Sequence, residues 1–173
     1  MNTTRKVTIY ALSTALVCLS TMAIQIPIPL GYIHPGNALI LLTAFLFGPG
    51  AGAAAAGPGS ALADLVTGFA YWSLPTLLIK GIMGFIAGLV TYRLNKSHKV
   101  YSIKTLLGAL AAVAVMIAGY FIAGSIIYGS IFTGALQIPG LVTEGLIGAG
   151  LFFLMASALD KAGFNKYAHR FLS

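Results

Sequence analysis

The fold is decided by GPGSALADLVTGFAYWSLPTLLIKGIMGFIAG, residues 57–88, in which Tyr71-Trp72-Ser73 joins two apolar segments. Each segment contains one charged residue, Asp64 in the first and Lys80 in the second. A charged side chain in hydrocarbon costs about 2.5–3.5 kcal/mol even by insertion scales, so such residues face a cavity or pair with one another. The stretch therefore predicts two membrane helices whose charged side chains point into the protein.

The rest of the chain is also hydrophobic and poor in charged residues. Of its 173 residues, 58% are hydrophobic and 8% charged, and the mean hydropathy of +0.94 excludes a soluble domain. At about 20 residues per span, the length allows roughly six transmembrane helices in a single domain, residues 1–173, and leaves no room for a nucleotide-hydrolysing or redox domain. The net charge of +7 comes from basic residues at the segment ends, where lipid and insertion rules explain them better than nucleic acid does.

The first apolar segment is predicted to be a transmembrane helix and not a cleaved leader. Arg5 and Lys6 precede it, as in a signal peptide, and its Cys18 could mimic a lipoprotein cysteine. Val17 is too large for that cleavage site, however, and the apolar run continues to Ile26. With a single cysteine in the chain, a disulfide framework is excluded.

Six apolar segments fit an all-α bundle of six transmembrane helices. Their predicted bounds are Val7–Ile26, Asn37–Phe47, Ala51–Ala70, Pro75–Leu94, Thr105–Tyr128 and Pro139–Leu159. The second segment, at 1.5 Å per residue, is only about 16 Å long, so it is expected to be a short helix enclosed by protein. The prolines and glycines of residues 27–36 predict an irregular connection before it.

The basic residues test the number of spans and set the orientation. Six spans place both termini on one side, and every basic residue except Lys80 then falls on that side: Arg5, Lys6, Arg93, Lys96, Lys99, Lys104, Lys161, Lys166 and Arg170. A five-span alternative, which fuses the segments around Gly48, would scatter these residues over both faces. The positive-inside rule therefore predicts cytoplasmic N- and C-termini.

In this orientation Asp64, Lys80 and Glu144 lie at one depth, near the outer ends of three helices. The same layer holds polar and aromatic residues of the loops: Tyr32, His34, Asn37, Tyr71, Trp72 and Gln137. The inner part of the membrane contains no ionisable group except tyrosines, which argues against a continuous ion pathway. This asymmetry favours a binding cup that opens to the outside.

With two carboxylates and one ammonium, the predicted binding cup has a net negative charge. Lys80 could neutralise Asp64 or Glu144 in a purely structural pair, but the second carboxylate would favour a ligand with paired donors, such as an aminopyrimidine edge or a pyridinium nitrogen. The lysine opposes a metal site, so neither a metal nor a cofactor is expected. His34 is a candidate binding residue of the cup, although a histidine alone in a loop is more typical of a solvated side chain than of a ligand contact. Tyr71 and Trp72 fit an interfacial belt and a stacking surface equally well.

Two pairs of small residues indicate close helix packing. Gly84 and Gly88 in the fourth segment are expected to serve packing within the bundle. Ala11 and Ala15 in the first segment have the same spacing. For them a flat surface that docks another membrane protein is an equal alternative.

These residues carry a resemblance to a known family. GNAL (36–39), GPGAG (48–52), GSALADL (59–65) and PTLLIKG (75–81) resemble the substrate-binding S components of energy-coupling factor (ECF) vitamin transporters, within the riboflavin-type group that includes hydroxymethylpyrimidine and pyridoxine carriers. The specific motif covers residues 36–88, and the six-helix layout extends the resemblance over the chain. Family members carry an alanine-xxx-alanine motif in the first helix, which Ala11 and Ala15 match.

The resemblance implies a multi-pass protein of the bacterial plasma membrane that captures a vitamin and topples against a transmembrane coupling subunit, the T component. Two cytoplasmic ATPase subunits would power the cycle; the chain itself would not be an enzyme, and it contains no glycine-rich phosphate loop ending in lysine. The implied substrate is the thiamine precursor 4-amino-5-hydroxymethyl-2-methylpyrimidine, with pyridoxine and riboflavin as rivals. Asp64, Lys80 and Glu144 would anchor it beside Asn37, with Trp72 or Tyr71 as a lid.

Two functions of other classes remain open on the residues alone. A stand-alone channel or facilitator would use the same cup as a vestibule and would need no ATPase partners. An intramembrane enzyme would need an acid-base pair, for which only Asp64 and Glu144 are available.

Overall fold

Helices make up most of residues 3–28, 31–95 and 99–164, the parts of the chain that this computed structural model describes. The helices are α1 (Thr3–Ala23), α2 (Gly36–Phe47), α3 (Pro49–Val66), α4 (Ser73–Gly88), α5 (Ile103–Ile127), α6 (Ile131–Ala135) and α7 (Ile138–Lys161). A hairpin of β1 (Ile26–Ile28) and β2 (Gly31–Ile33) joins α1 to α2, a 3-10 turn (Ala70–Trp72) precedes α4, and a π-helical turn (Leu89–Leu94) extends it.

Four helical segments are long and apolar enough to cross a membrane: Thr3–Ala23, Ala70–Leu94, Ile103–Ile127 and Ile131–Lys161. The two other helices of the predicted bundle, α2 and α3, do not reach this length or hydropathy, each for its own reason. Helix α2 has 12 residues and is almost wholly buried, and it contacts α1, α3, α4 and α7, so the prediction of a short, protein-enclosed helix is confirmed. Helix α3 is rich in glycine and alanine and carries Asp64, which lowers its hydropathy.

The connection between α1 and α2 differs from the prediction. Helix α1 ends at Ala23, and Ile26 belongs to β1, where it pairs with Ile33 of β2. Pro27 lies opposite Tyr32. Proline lacks an N–H to donate, but each strand of a two-stranded hairpin is an edge strand, where proline is tolerated. Pro27, one of the residues that indicated an irregular loop, therefore fits a short strand.

Helix α3 also ends earlier than expected, at Val66, and Ala70 lies in the 3-10 turn. Helices α3 and α4 pack most closely where both carry glycine. A Cβ atom added at Gly84 would collide with the carbonyl of Gly52, and one added at Gly88 would meet the backbone of Pro49. Such contacts let two backbones touch. The prediction that Gly84 and Gly88 serve internal packing is confirmed.

Contacts between helices distinguish two ends of the bundle. At one end Tyr10 lies against Gly50, and Tyr101 accepts a hydrogen bond from Ser157. The basic residues at the element ends and in the loop on this side are Arg5, Lys6, Arg93, Lys99, Lys104 and Lys161, whereas Lys96, Lys166 and Arg170 lie outside the described residues. The hairpin, the 3-10 turn and α6 gather at the opposite end, which we call the hairpin end.

Candidate binding site

A small cavity of about 50 Å³ lies at the hairpin end. Small-molecule sites are typically clefts lined by apolar and aromatic side chains with a few polar groups, and this cavity has that kind of lining. Every long helix except α1 and α2 contributes to its wall, together with the hairpin and the turns. The lining residues are Ile28, Gly31, Tyr32, His34, Ser60, Asp64, Phe69, Trp72, Thr76, Tyr120, Gln137, Leu141 and Glu144.

Glu144, near the start of α7, is the centre of a buried polar network. Its Oε1 accepts hydrogen bonds from Lys80 Nζ at 3.0 Å and from Asn37 Nδ2 at 2.8 Å, and it lies 3.3 Å from His34 Nε2. Lys80 also donates to Asn37 Oδ1 at 2.7 Å. We call these four residues the Glu144 network. Lys80 therefore forms its ion pair with Glu144 and not with Asp64. The sequence alone left both pairings possible.

The surroundings of Lys80 complete this network. Its Nζ lies 3.2 Å from the Met116 thioether and 5.5 Å from the ring centre of Tyr120, and the residue is 1% exposed. Taking a lysine and a glutamate out of water is costly unless the remaining hydrogen-bonding capacity is used. Asn37 uses this remaining hydrogen-bonding capacity, because its side-chain carbonyl accepts from Lys80 and its amide group donates to Glu144. The charges of this pair are thus balanced within the protein.

His34 is buried, which corrects the expectation of a solvated loop histidine. Its Nδ1 accepts a hydrogen bond from the Gly36 N–H at 3.1 Å, so its own proton sits on Nε2 and points at Glu144. Burial lowers the pKa of His34 to about 4, with the Glu144 carboxylate opposing this shift. The imidazole is therefore a neutral donor near pH 7.

Asp64, near the end of α3, is buried in the cavity wall and forms no ion pair with any described residue. Its Oδ1 accepts a hydrogen bond from the Tyr32 hydroxyl at 2.7 Å, while its Oδ2 has no hydrogen-bond partner among the described residues. Burial and the neighbouring Asp64 raise the pKa of Tyr32 well above its ordinary value, so the phenol stays protonated. Asp64 thus presents one unused carboxylate oxygen.

Two more unpartnered polar atoms line the same cavity. Ser60 Oγ, one helical turn before Asp64, and Trp72 Nε1 are buried and make no hydrogen bond within the described ranges. Buried polar groups nearly always have partners, and each exception calls for an explanation. Aromatic rings form the rest of the wall: Tyr32 packs on Phe69 at 4.9 Å between centroids, and Trp72 packs on Tyr120 at 5.6 Å. The arrangement suits a small planar molecule with hydrogen-bonding groups.

The predicted site residues separate into three groups. Asp64, Glu144, His34 and Trp72 line the cavity, whereas Asn37 and Lys80 lie behind Glu144. Tyr71 lies outside the cavity, is 54% exposed, and shares a hydrogen bond of 3.3 Å with Tyr128.

Some lining residues were missed, namely Ser60, Phe69, Thr76 and Tyr120. A signal existed for two of them. Ser60 and Thr76 each lie four residues before a charged residue and therefore on the same helix face. In the described part of the chain, no three His, Cys, Asp or Glu side chains gather as metal ligands do.

Ala11 and Ala15 are exposed on α1, beside Leu12 and Leu16. The inward face of the helix carries Ser13, Val17 and Thr21 instead. The alanine pair therefore lies on the outer face of the part of the bundle that the structure describes.

Comparison with known proteins shows which family has this sequence and architecture. Residues 1–161 match the family described as the S component of ECF-type riboflavin transporters. The fold is also similar to a solved structure of the S component of a bacterial ECF transporter, with a TM-score of 0.64, 20% sequence identity, and coverage of 92% of this chain and 98% of that one.

Two relatives are more similar in sequence. An uncharacterized protein of Pyrococcus woesei is 43% identical over 106 residues, which cover 60% of this chain and 68% of that protein. The thiamine precursor transporter HmpT of Lactococcus lactis subsp. cremoris is 34% identical over 123 residues, which cover 68% of this chain and 65% of HmpT. Together with the apolar helices, the family match makes this a multi-pass membrane protein: the chain belongs to the family of ECF transporter S components.

Proposed function

We propose that this chain is the substrate-capture subunit of an ATP-driven importer and that it binds its substrate in the cavity at the hairpin end. As a member of a transporter family, it is not an enzyme. ATP hydrolysis would take place in two cytoplasmic ATPase subunits, joined to this chain through a transmembrane T component. The whole chain, residues 1–173, would act as one membrane domain.

The proposed orientation has six membrane crossings with both termini in the cytoplasm. The described basic residues of the loops and helix ends support it, because they lie at the end of the bundle opposite the cavity. The cavity would then open to the outside, where a capture subunit meets its substrate. Helices α2 and α3 would be the two crossings that are enclosed mainly by protein.

The proposed substrate is 4-amino-5-hydroxymethyl-2-methylpyrimidine, a thiamine precursor. The similarity to HmpT supports this choice, and the observation that carries it is the set of unpartnered polar atoms in the wall. Asp64 Oδ2 can accept from the exocyclic amino group, Trp72 Nε1 can donate to a ring acceptor, and Ser60 Oγ can bond the hydroxymethyl group. Pyridoxine, the closest rival, has no exocyclic amino group for Asp64.

Trp72 offers a direct test because it is the only tryptophan in the sequence and lies in the cavity wall. Addition of the pyrimidine to the purified protein is expected to change tryptophan emission in a saturable way, since the ring would stack near the indole. Pyridoxine should produce the change only at higher concentration. Unchanged emission at saturating pyrimidine, in protein that remains folded by circular dichroism, would contradict the assignment.

The exposed alanine pair on α1 supports a docking surface for the T component, since small residues allow helices in a membrane to approach closely. Replacement of Ala11 and Ala15 by leucine is expected to leave pyrimidine affinity unchanged, because both residues lie outside the cavity. Overpacking of a contact by about 1–3 kcal/mol should lower ATP-driven uptake about 5- to 150-fold. Uptake in cells that also express the energising subunits measures the loss.

Helix α5 provides a matched control. Ala114 and Ala118 have the same spacing and are also exposed, so their replacement by leucine makes an equal change on a different face. Normal uptake by this control and poor uptake by the α1 variant would support docking through α1. Equal uptake by both variants, or uptake in cells without ATPase subunits, would favour a stand-alone facilitator.

A further inference from the structure

We propose that the cavity binds its heterocyclic ligand as a cation, protonated on a ring nitrogen, with Asp64 as the counter-ion. This inference rests on the proposed function and deepens it, because it names the chemical form of the substrate that the site selects. Basic nitrogen heterocycles with an amino group beside the ring nitrogen belong to this class.

The first step is the charge balance around Asp64. The groups that face it are Tyr32 from the hairpin, Thr76 and Lys80 from α4, Tyr120 from α5 and Glu144 from α7, with His34 from the loop before α2. The one ammonium among them is held by Glu144 at 3.0 Å, and no salt bridge within the described residues reaches Asp64. His34, whose Nδ1 accepts a hydrogen bond from the Gly36 N–H, and Tyr32, whose hydroxyl donates to Asp64, are neutral near pH 7. Among the described residues, no cation is therefore in direct contact with the Asp64 carboxylate.

The second step is the geometry of that carboxylate. Tyr32 donates to Oδ1, which keeps a further lone pair, and Oδ2 is unused. Two oxygens of one carboxylate can accept two parallel N–H bonds, and such paired, charge-assisted bonds are about twice as strong as neutral ones. A protonated ring nitrogen beside an amino group presents two parallel N–H donors. A neutral ring nitrogen would present a lone pair to one of the oxygens instead.

The third step is the aromatic wall. Tyr32, Phe69 and Trp72 surround the space beside Asp64, and Tyr120 already lies 5.5 Å from a cation, the Lys80 ammonium. Aromatic faces attract cations, most strongly where water is excluded. The wall thus favours a flat cation over a neutral ring of the same shape. On binding, the ring nitrogen gains a proton from solvent, Asp64 stays a carboxylate, and no covalent bond of the ligand breaks.

The test is a nitrogen NMR spectrum of 4-amino-5-hydroxymethyl-2-methylpyrimidine, labelled with 15N in the ring and bound to the full chain in detergent. At a pH one to two units above the pKa of the free compound, the free signal is that of a neutral ring. The bound signal is expected at the position of the protonated ring. The Kd should also rise about tenfold per pH unit in this range, because binding takes up a proton.

A bound ring nitrogen at the neutral position would overturn the inference while leaving the proposed function intact. Absence of binding at every pH would overturn both. The variant Asp64→Asn keeps an acceptor oxygen but removes the charge, so the ligand that it binds should be neutral and its Kd should no longer rise with pH. A rise of equal slope in this variant would also count against Asp64 as the counter-ion.

Discussion

Replacement of Lys80 by methionine is expected to lower the free energy of unfolding by about 3–5 kcal/mol. Methionine preserves the length of the side chain and its packing against Met116, but Glu144 would remain buried without a cation. Asn37 would also lose the donor to its carbonyl oxygen. Thermal or denaturant unfolding of the purified protein in one detergent measures the loss.

The double variant Lys80→Met/Glu144→Gln tests whether the lost stability comes from breaking the Lys80–Glu144 pair. With both charges removed, neither partner is left as an isolated buried ion, and most of the lost stability should return. Lys104→Met serves as a control, because Lys104 is exposed and a surface change of this kind is usually within about 0.5 kcal/mol. A double variant that is as unstable as the sum of the single variants would contradict a coupled pair.

Replacement of Asp64 by asparagine is expected to weaken pyrimidine binding about 10- to 100-fold. The change keeps the size of the side chain and an acceptor for the Tyr32 hydroxyl, but it removes the charge that faces the cavity. A hydrogen bond to a charged group contributes about 1.5–3 kcal/mol, and each 1.4 kcal/mol is about a factor of ten in Kd. Calorimetric titration of the variant gives the change directly.

Asp160→Asn is the matched control for this variant. Asp160 lies in the last turn of α7, about 24 Å along the helix from Glu144 at 1.5 Å per residue, and outside the cavity. Its affinity for the pyrimidine should equal that of the unaltered protein. If Asp64→Asn also bound normally, Asp64 would not anchor the substrate.

The position of the charged residues could be predicted because hydrocarbon constrains it so strongly. An ionisable side chain in a membrane helix must face a partner or a cavity. Counting turns along three helices was then enough to bring Asp64, Lys80 and Glu144 to one level, and all three lie at or directly behind the wall of one cavity. The short helix α2 followed in the same way, since its length alone required enclosure by protein.

Contacts between loops and helices could not be predicted in this way. Which carboxylate receives Lys80 depends on side-chain reach across three helices, and no spacing along the chain encodes it. The hairpin depends on pairing between Ile26 and Ile33, and it buries His34 against Glu144. Tyr71 and Trp72 are neighbours of similar chemistry in one 3-10 turn. Only the direction of the side chain determines that the Trp72 ring lies in the cavity wall whereas the Tyr71 ring is exposed.

The most direct test of the capture function is calorimetric titration of the purified chain with hydroxymethylpyrimidine, pyridoxine, riboflavin, thiamine and pantothenate, one compound at a time. Binding of hydroxymethylpyrimidine below about 1 μM, some 8 kcal/mol of binding free energy, with much weaker binding of the other four, is the predicted result. Heat from none of the five compounds, or tight binding of riboflavin alone, would contradict the proposed substrate and the contacts assigned to it.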